Sequence, residues 1–552
     1  MGRPLQGVLV ARAWRVGCGM VAQSVNVYQW LKIPREVHQE KWLKQQLRLL
    51  PEKWAARVER RYWHLDKKHG RELEANIYVR EIVEPLSVDI DISASDSQIQ
   101  DLAKYNARHI ENGLLNCAVM GQAKFIDLMQ GMCLRYGVAY PFAHELESIT
   151  ARLICSAWWL RNLRSSFARA REKACIDAGL VHKKANLYCS DDTLDGRRAQ
   201  IKRNQELLEG VEIESESGER ITLAQAAAAG MANTHNRVNE LITRTKGFQE
   251  LADKYSHECL FVTVTAPSRF HAVKVNGQPN PKYAGATPRD TQQYLTKQWT
   301  RCRALLAWHG VKFYGLRVVE PHHDATPHWH LALWVSDEAG LHKLRSAFKT
   351  YFLRGDDCDY LERGAVLNRL KFKRCDSRGA VGYMLKYIIK NMRGHGIDGE
   401  SDDESEGKEL PSESGAERVE AWASTWRIRQ FQQIGGHSVS VWRELRWVEQ
   451  SELEASIDGL DPNTPFSFVD TYIYKAWQSV QKRENHNANF AEFIEAMGGL
   501  DVKPKESLLQ LANNCALEYG RYGRDYVYKK WGVIERYGSA VLKSKRESWS
   551  RV

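Results

Sequence analysis

The chain has no Cys-x-x-Cys pair, although it contains 11 cysteines scattered along 552 residues. A zinc ribbon needs ligands paired at such a spacing, and a disulfide framework uses an even number of cysteines, so neither is indicated. No run approaches the roughly 18 apolar residues of a membrane-spanning helix. Arg3, Arg12 and Arg15 interrupt any signal-peptide core. The sequence therefore predicts a protein of a reducing cytosol without a membrane partner, and a poorly ordered start over 1–33.

Acidic residues are in the minority, and one short stretch holds many of them. The formal net charge is +11, from 79 Lys and Arg against 68 Asp and Glu. Residues 398–417 contain nine acids and one lysine, so the rest of the chain carries +19. A basic body suits a polyanionic partner, because phosphate neutralisation supplies most of the sequence-independent affinity for nucleic acid. Ordinary solubility explains the charge equally well. The acidic stretch is too polar to bury a core, which predicts a linker or loop.

The length exceeds what one hydrophobic core supports, so several domains are expected. Helical periodicity dominates residues 34–254, strands alternate with helices over 255–397, and helices return over 418–552. This order predicts an α+β fold, in which helices cover an antiparallel sheet that is flanked by mainly helical N- and C-terminal regions. Aromatic residues among Arg and Lys near the C terminus are able to stack bases and hold phosphates, although ordinary packing of an irregular end is at least as good an explanation.

A β-hairpin is predicted near the middle of the chain, with a polar turn between two apolar strands. Alternation along the second strand puts His328 and His330 on one face. Symmetric pairing about the turn places Glu320 opposite His328, about 5 Å away at Cβ. Two imidazoles and a carboxylate would then converge, which predicts a divalent-metal site with room for water and substrate oxygens. His322 and His323 lie in the turn, and either could replace Glu320 as the third ligand.

The segment from 381 to 392 predicts a helix with two distinct sides. At about 100° per residue, its apolar residues gather on one side, whereas Tyr383 and Tyr387 fall one turn apart on the other. Each tyrosine has a lysine three positions later, Lys386 and Lys390, which is neighbour distance on a helix. A lysine beside a tyrosine favours the phenolate or holds phosphate oxygens, so these residues are candidates for nucleophilic chemistry.

Together with the strand FVTVT at 261–265, these two blocks resemble the motifs of the HUH endonucleases, which are named for a His-hydrophobic-His pair. The Tyr-x-x-x-Tyr spacing is similar to that of the gene-A-type replication initiators of phages and prophages. The order of strand, His-Trp-His and tyrosine helix agrees with that family over 261–392. The resemblance implies an RRM-like sheet, a magnesium or manganese ion at the predicted three-residue site, and both tyrosines as nucleophiles.

The activity that this resemblance implies is site-specific nicking of single-stranded origin DNA. Attack by a tyrosine leaves a 5′-phosphotyrosyl enzyme and a free 3′-hydroxyl, which primes rolling-circle replication. The covalent bond conserves the energy of the broken linkage, and the second tyrosine cuts the next strand while the first is still attached. The chain has no P-loop and needs no nucleotide cofactor. A replicative helicase and a DNA polymerase of the bacterial host are the expected partners.

Two other hypotheses remain open from the sequence. A relaxase or a transposase uses the same chemistry, but relaxases tend to place the tyrosine before the histidines, whereas here it follows them. A non-catalytic nucleic-acid-binding protein would use the same histidines and tyrosines for packing, because His-x-His and Tyr-x-x-x-Tyr are each common by chance. Absence of metal-dependent cleavage would identify that second class.

Overall fold

The computed structural model describes residues 35–83, 90–143, 145–354, 365–393, 413–458, 469–481, 487–537 and 540–552. The chain forms two compact units that divide between residues 83 and 84. Within these described ranges, no helix is both long enough and apolar enough to cross a membrane. The predicted start over 1–33 and the acidic stretch up to residue 412 lie outside the described residues.

The first unit is built from α1 (Arg35–Leu47), α2 (Glu52–His69) and α3 (Glu72–Val83). Trp54, Val58 and Tyr62 recur every four residues on α2 and are all buried, as expected for the core-facing side of a helix. The Tyr62 hydroxyl donates to Asn76 Oδ1 of α3 at 3.1 Å. Gly70 ends α2 with a φ of 59°, a left-handed conformation that glycine adopts without steric cost.

The second unit opens with a helical layer and a small β-hairpin. Its elements are α4 (Asp96–Leu115), α5 (Cys117–Met120), α6 (Gln122–Arg135), α7 (Leu146–Leu153), α8 (Ser156–Asp177), α9 (Asp191–Glu209), β1 (Glu212–Ser215), β2 (Arg220–Thr222), α10 (Leu223–Ala229) and α11 (Thr234–Tyr255). One core joins α4, α6 and α8, where Ile110, Phe125, Met129, Trp159 and Leu163 are almost completely buried. The Trp159 indole nitrogen donates to Leu153 O at 2.6 Å, so the polar atom of this buried ring is satisfied.

A five-stranded antiparallel sheet follows, and it confirms the predicted α+β fold. The elements of this region are β3 (Glu258–Thr265), a 3₁₀ turn (Ser268–Phe270), α12 (Pro288–Trp308), β4 (Phe313–Pro321), β5 (Pro327–Val335), α13 (Glu338–Phe352), α14 (Ala365–Arg369), β6 (Leu370–Cys375) and α15 (Ser377–Arg393). The strand order is β6-β3-β5-β4-β7, where the edge strand β7 is Phe431–Ile434. The predicted hairpin is confirmed in its register, because Glu320 lies opposite His328 and Pro321 lies opposite Pro327.

Helices cover both faces of this sheet. On one face, α12 and α13 pack through large rings, with Trp299 and Phe348 centroids 5.5 Å apart. On the other face, α15 buries Val381, Met384 and Ile388 in a shared core with α11. These three residues belong to the predicted apolar side of α15, because a spacing of three or four residues aligns them on a helix.

The last part of the chain contains α16 (Glu413–Trp426), β7 (Phe431–Ile434), α17 (Val439–Leu445), α18 (Gln450–Asp458), α19 (Val469–Val480), α20 (Phe490–Ala496), β8 (Leu509–Gly520), β9 (Gly523–Glu535), β10 (Val541–Lys543) and β11 (Trp549–Arg551). The prediction that residues 418–552 are helical is wrong at β7 and again beyond Ala496. Residues 509–535 form a two-stranded antiparallel ribbon, and Tyr526, Val527 and Tyr528 in its second strand are of residue types that are enriched in strands. Gly520 pairs with Gly523 at the tip, and Gly523 takes a φ of 94°.

The helices predicted over 418–552 are interrupted between α16 and α17, because Arg427, Gly435 and Gly436 take left-handed φ angles of 53°, 66° and 67°. The acidic stretch is also not entirely a loop, since residues 413–417 form the beginning of α16. There Glu417 forms an ion pair with Arg198 of α9.

One hydrophobic core joins the sheet to the C-terminal helices. Phe248 of α11 packs against Trp334 of β5, with ring centroids 6.3 Å apart, and against Phe490 of α20, at 5.7 Å. A Cβ added to Gly247 would lie 2.7 Å from the Phe490 Cβ, so only glycine allows α11 and α20 to approach this closely. The domain boundaries drawn from the sequence at 254 and 397 stay predictions.

Candidate active site

The three predicted metal ligands lie together at the turn end of the β4–β5 hairpin. Glu320, His328 and His330 are buried, and one possible ligand atom of each lies within 4.8 Å of the others. The two Nε2 atoms are 2.8 Å apart, and Glu320 Oε2 is 3.4 Å from His330 Nε2 and 4.0 Å from His328 Nε2. Two imidazole nitrogens and a carboxylate oxygen that converge in this way fit a divalent cation. We call these residues the ligand cluster; that they bind an ion stays a prediction.

Strand β3 positions the ligand cluster from the side. Thr263 lies opposite His330, and Thr265 lies opposite His328. Thr263 Oγ1 is 3.2 Å from His330 Nδ1. When this nitrogen carries the proton, the lone pair of His330 is on Nε2, directed at the other ligands. The Thr-x-Thr pattern of the strand at 261–265 therefore has a physical role beside the histidines.

A buried His–Asp pair holds the turn of the hairpin, and no periodic pattern in the sequence indicates it. His271 Nδ1 lies 3.0 Å from Asp324 Oδ2, which is inaccessible to solvent. Burial alone would raise the pKa of the Asp324 carboxyl, but the charge and hydrogen bond of His271 hold it well below its ordinary value. Burial would lower the pKa of His271, whereas Asp324 raises it. The two residues are thus a charged pair, joined across 53 positions of sequence.

His322 lies between this pair and the ligand cluster. Its ring centroid is 5.4 Å from that of His271 and 4.2 Å from that of His328. Burial and the neighbouring imidazoles lower its pKa well below the ordinary value. In the described part of the chain, neither His322 nor His323 is grouped with the converging ligand atoms. Of the three alternatives for the third ligand, the geometry favours Glu320.

Replacing Asp324 by alanine should lower the free energy of unfolding by about 3 kcal/mol, because it leaves His271 buried without its counter-ion. Chemical denaturation followed by circular dichroism measures this change. Asp501→Ala is the matched control, since Asp501 forms an exposed ion pair with Lys312 and should cost less than about 1 kcal/mol. Equal stability of the two variants would show that the buried pair does not hold the turn.

The two predicted nucleophiles both lie beside Phe261, and one of them, Tyr387, contacts the ligand cluster. The Tyr387 ring stacks on the His330 ring, with centroids 3.9 Å apart and planes 16° apart. Phe261 of β3 lies beside both tyrosines, at centroid distances of 5.4 Å from Tyr383 and 6.1 Å from Tyr387. Both tyrosines are half-buried, because they flank the apolar side of α15 and face the end of the sheet.

A different lysine from those predicted contacts one of the two predicted nucleophiles. Lys373 of β6 forms a hydrogen bond with the Tyr383 hydroxyl, and its Nζ lies 4.3 Å from the centre of that ring. Lys386 is half-buried and has no hydrogen bond or ion pair with another described residue, and the side chain of Lys390 lies outside the described part of the chain. The sequence could not identify Lys373, because its position depends on the long-range pairing of Lys373 with Phe261.

An arginine-rich cleft begins beside the ligand cluster. Gln430 O accepts from Val319 N at 2.8 Å, and Val319 directly precedes Glu320. From Gln430 the cleft follows the edge strand β7 and has a volume of about 1040 Å³. Its cationic lining, which we call the arginine cleft, is Arg197, Arg237, Arg244, Arg429 and Arg443.

Positive charge in this cleft exceeds the negative charge that neutralises it. Burial lowers the pKa of Arg244 to about 10. The charge of Glu240 opposes this shift, whereas the neighbouring arginines lower the pKa further. Arg443 also forms an ion pair with Glu240, with 2.7 Å between Nη2 and Oε1. Arg237 and Arg429 have no ion pair with any residue in the described ranges. Such excess charge suits the phosphates of a nucleic acid.

Comparisons with known proteins agree with this picture. Residues 121–395 match the family model described as "Bacteriophage replication gene A protein (GPA)". The chain is 35% identical to the replication gene A protein of Escherichia phage 186 over 404 residues, which are 72% of this chain and 55% of that protein. It is 37% identical to the probable replication protein P12 of Pseudoalteromonas phage PM2 over 409 residues, 73% of this chain and 59% of that protein.

A third relative is named for a nuclease activity. The chain is 30% identical over 428 residues to the probable replication endonuclease from a prophage-like region of Salmonella paratyphi A, which covers 75% of this chain and 50% of that protein. The chain therefore spans between half and three fifths of the length of these curated relatives. No solved structure matches it.

Proposed function

The chain belongs to the bacteriophage replication gene A protein family, and from this membership we propose that it is a site-specific endonuclease for single-stranded DNA. In this proposal it initiates rolling-circle replication of a phage or prophage genome in the cytoplasm of a bacterial host. The observation that carries the proposal is the stacking of Tyr387 on His330 at 3.9 Å. Nucleophile and ligand cluster are then able to act on one phosphate, as transesterification requires.

A divalent ion would be held by Glu320 Oε2, His328 Nε2 and His330 Nε2. When bound, magnesium or manganese withdraws electron density from the scissile phosphate and neutralises the charge that develops in the transition state. Thr263 keeps the His330 ring in the orientation that directs Nε2 inward. The Asp324–His271 pair fixes the turn from which His328 emerges.

The chemistry of the proposed step rests on the tyrosines and Lys373. A neutral phenol with a pKa near 10 is a poor nucleophile, and the Lys373 ammonium group that contacts the Tyr383 hydroxyl places positive charge beside the attacking oxygen. The phenolate oxygen attacks phosphorus while the bond from phosphorus to the 3′-oxygen breaks. The tyrosine has lost its proton, and the leaving 3′-oxygen takes one up. The products are a 5′-phosphotyrosyl protein and a 3′-hydroxyl that primes synthesis.

Two tyrosines on one helix allow the reaction to repeat. Tyr383 and Tyr387 are one helical turn apart, about 6 Å, and both contact Phe261 beside the ligand cluster. While one tyrosine is esterified, the other attacks the next origin that reaches the site. The new 3′-hydroxyl then attacks the first phosphotyrosyl bond, which closes the displaced circle and releases the first tyrosine. Host helicase and polymerase would supply the unwound, extended strand between these events.

The decisive experiment is incubation of the full chain with single-stranded origin-region DNA and magnesium or manganese. A covalent adduct on a denaturing gel is the expected result, and chelation of the metal should prevent it. A protein that binds DNA but gives no adduct with either metal would belong to the non-catalytic class. The printed names of the relatives favour replication over conjugation or transposition.

In the proposed complex, the arginine cleft holds the DNA strand next to the scissile phosphate. Replacing Arg237 and Arg429 together by alanine should weaken binding of single-stranded DNA several-fold. It should also reduce the slope of log affinity against log salt by about 1.4, since each phosphate contact on a single strand contributes about 0.7. Fluorescence anisotropy in the presence of a chelator measures both effects without cleavage.

The control for this pair is Arg108→Ala/Arg303→Ala, because both residues are exposed and lie outside the cleft. It removes the same net charge and should change the salt slope much less. Equal slopes for the two double variants would show that general surface charge, and not the arginine cleft, binds the strand.

A further inference from the structure

The β8–β9 ribbon has one exposed face that combines aromatic rings with positive charge. The register pairs Leu517 with Tyr526, Cys515 with Tyr528 and Tyr519 with Arg524. Because side chains alternate between the faces of a ribbon, these residues share one side. Lys530 lies on the same side, because it is two positions after Tyr528 and pairs with Asn513. We call this side the tyrosine face.

The tyrosine face is open to solvent. Tyr519 is 80% exposed, Tyr528 73% and Tyr526 48%. Rings of this size are normally buried or half-buried in a folded chain. Three exposed tyrosines on one side of a ribbon form a continuous surface, since neighbouring positions along one strand are about 7 Å apart. Such a surface is the type of feature that marks a binding site.

Charge is unevenly divided between the two sides of the ribbon. The tyrosine face carries Arg524 and Lys530, and the register places no carboxylate on it. Arg524 lies 5.3 Å from the Tyr519 ring centre. Glu518 belongs to the opposite side, where it forms an ion pair with Lys529 at 2.8 Å. The partner of the tyrosine face therefore carries negative charge and flat apolar groups together.

The ribbon is held at both ends, so its tyrosine face is positioned before any ligand arrives. At its base, Leu509 and Val533 are buried in the core that also contains the apolar side of α15. At its tip, Ser148 Oγ of α7 donates to Arg524 O at 2.7 Å, and the Arg152 guanidinium lies 5.2 Å from the Tyr522 ring centre. A surface that is already ordered loses little conformational entropy on binding.

We propose that the tyrosine face binds single-stranded DNA, with bases stacked on Tyr519, Tyr526 and Tyr528 and phosphates held by Arg524 and Lys530. Unpaired bases offer the flat rings, and the backbone offers the negative charge. The bases of a duplex are stacked on each other and do not expose their ring faces. The site lies outside residues 121–395, which match the family model. It deepens the proposed function, because a nicking enzyme that initiates replication must hold a displaced strand.

The test compares variants of the full chain that also carry Tyr383→Phe/Tyr387→Phe, in the absence of metal. A labelled oligothymidylate is titrated and its anisotropy recorded. Tyr519→Ala/Tyr526→Ala/Tyr528→Ala should bind at least about tenfold more weakly, as expected for loss of base stacking. The corresponding triple phenylalanine variant keeps the rings and should bind like the parent. Because no cleavage is involved, failure of the nicking proposal would not affect this measurement.

The control is Tyr537→Ala, since Tyr537 is 76% exposed and also lies beside an arginine, but off the ribbon. If the triple alanine variant binds as tightly as this control while its circular dichroism is unchanged, the proposal is overturned. An equal loss of affinity for a duplex of the same length would also contradict it. The proposal would also be contradicted if sedimentation showed that the parent is a dimer and the triple alanine variant a monomer. The tyrosine face would then join two copies of the chain, and loss of the dimer would account for the weaker binding.

Discussion

Replacing both Tyr383 and Tyr387 by phenylalanine should abolish the covalent protein–DNA adduct. Each change removes the attacking oxygen and keeps the ring that packs on Phe261 and His330. Loss of a nucleophile lowers the rate by at least about 10³-fold, so the double variant should give no adduct on a denaturing gel. Binding of single-stranded DNA should persist, because the arginine cleft and the tyrosine face are unchanged.

The single variants should separate the two roles. Each should still form an adduct through the tyrosine that remains, and peptide mapping should locate the label on that residue. Because Lys373 contacts Tyr383, we expect Tyr387→Phe to retain more cleavage than Tyr383→Phe. Only the unchanged protein should release closed single-stranded circles when helicase and polymerase are supplied. An adduct formed by the double variant would place the nucleophile elsewhere and reject this role for α15.

Replacing His330 by alanine should reduce cleavage by at least about 10²-fold, because it removes a ligand of the proposed metal site. The same change removes the partners of Thr263 Oγ1 and of the Tyr387 ring. Nicking rates measured across a titration of manganese should rise only at concentrations above those that saturate the unchanged protein. DNA affinity measured in chelator should change less than threefold, roughly the effect of a neutral substitution.

His342→Ala provides the matched control, since His342 is exposed on α13 at the opposite side of the sheet. This variant should nick at the normal rate with the normal requirement for metal. Unchanged cleavage by His330→Ala in magnesium would contradict the ligand assignment. Equal loss of cleavage in both histidine variants would point to general damage rather than to a metal site.

The hairpin and its register were predictable because they are local. Glu320 and His328 are separated by only eight positions, and the period of two in the second strand sets which residues share a face. The apolar side of α15 was predictable for the same reason, since a helix aligns residues three and four apart. These local rules are sufficient to predict that Glu320, His328 and His330 converge, without any knowledge of long-range packing.

Other parts of the site depend on pairing between distant segments. Lys373 reaches Tyr383 only because β6 pairs with β3, and His271 reaches Asp324 only because the chain after β3 returns to the hairpin turn. The intrinsic secondary-structure propensity of a residue does not determine such long-range contacts. The ribbon was missed for a different reason, because its aromatic and basic residues are compatible with several conformations. The exposure of its tyrosines is visible only in the folded structure.

Close packing between Gly247 and Phe490 has a consequence for the order in which the chain folds on the ribosome. Every side chain proposed to act in cleavage has been synthesised by residue 397, and the hairpin that holds the ligand cluster forms within about 10 μs. The tyrosine helix packs on α11, however, and α11 lacks its contact with α20 until about 90 further residues emerge, roughly 5–20 s later. We therefore expect nascent chains to form the ligand cluster before α20 is synthesised and to gain the proposed nicking activity only afterwards. Nicking would then begin only after α20 has emerged from the ribosome, even though the ligand cluster forms earlier.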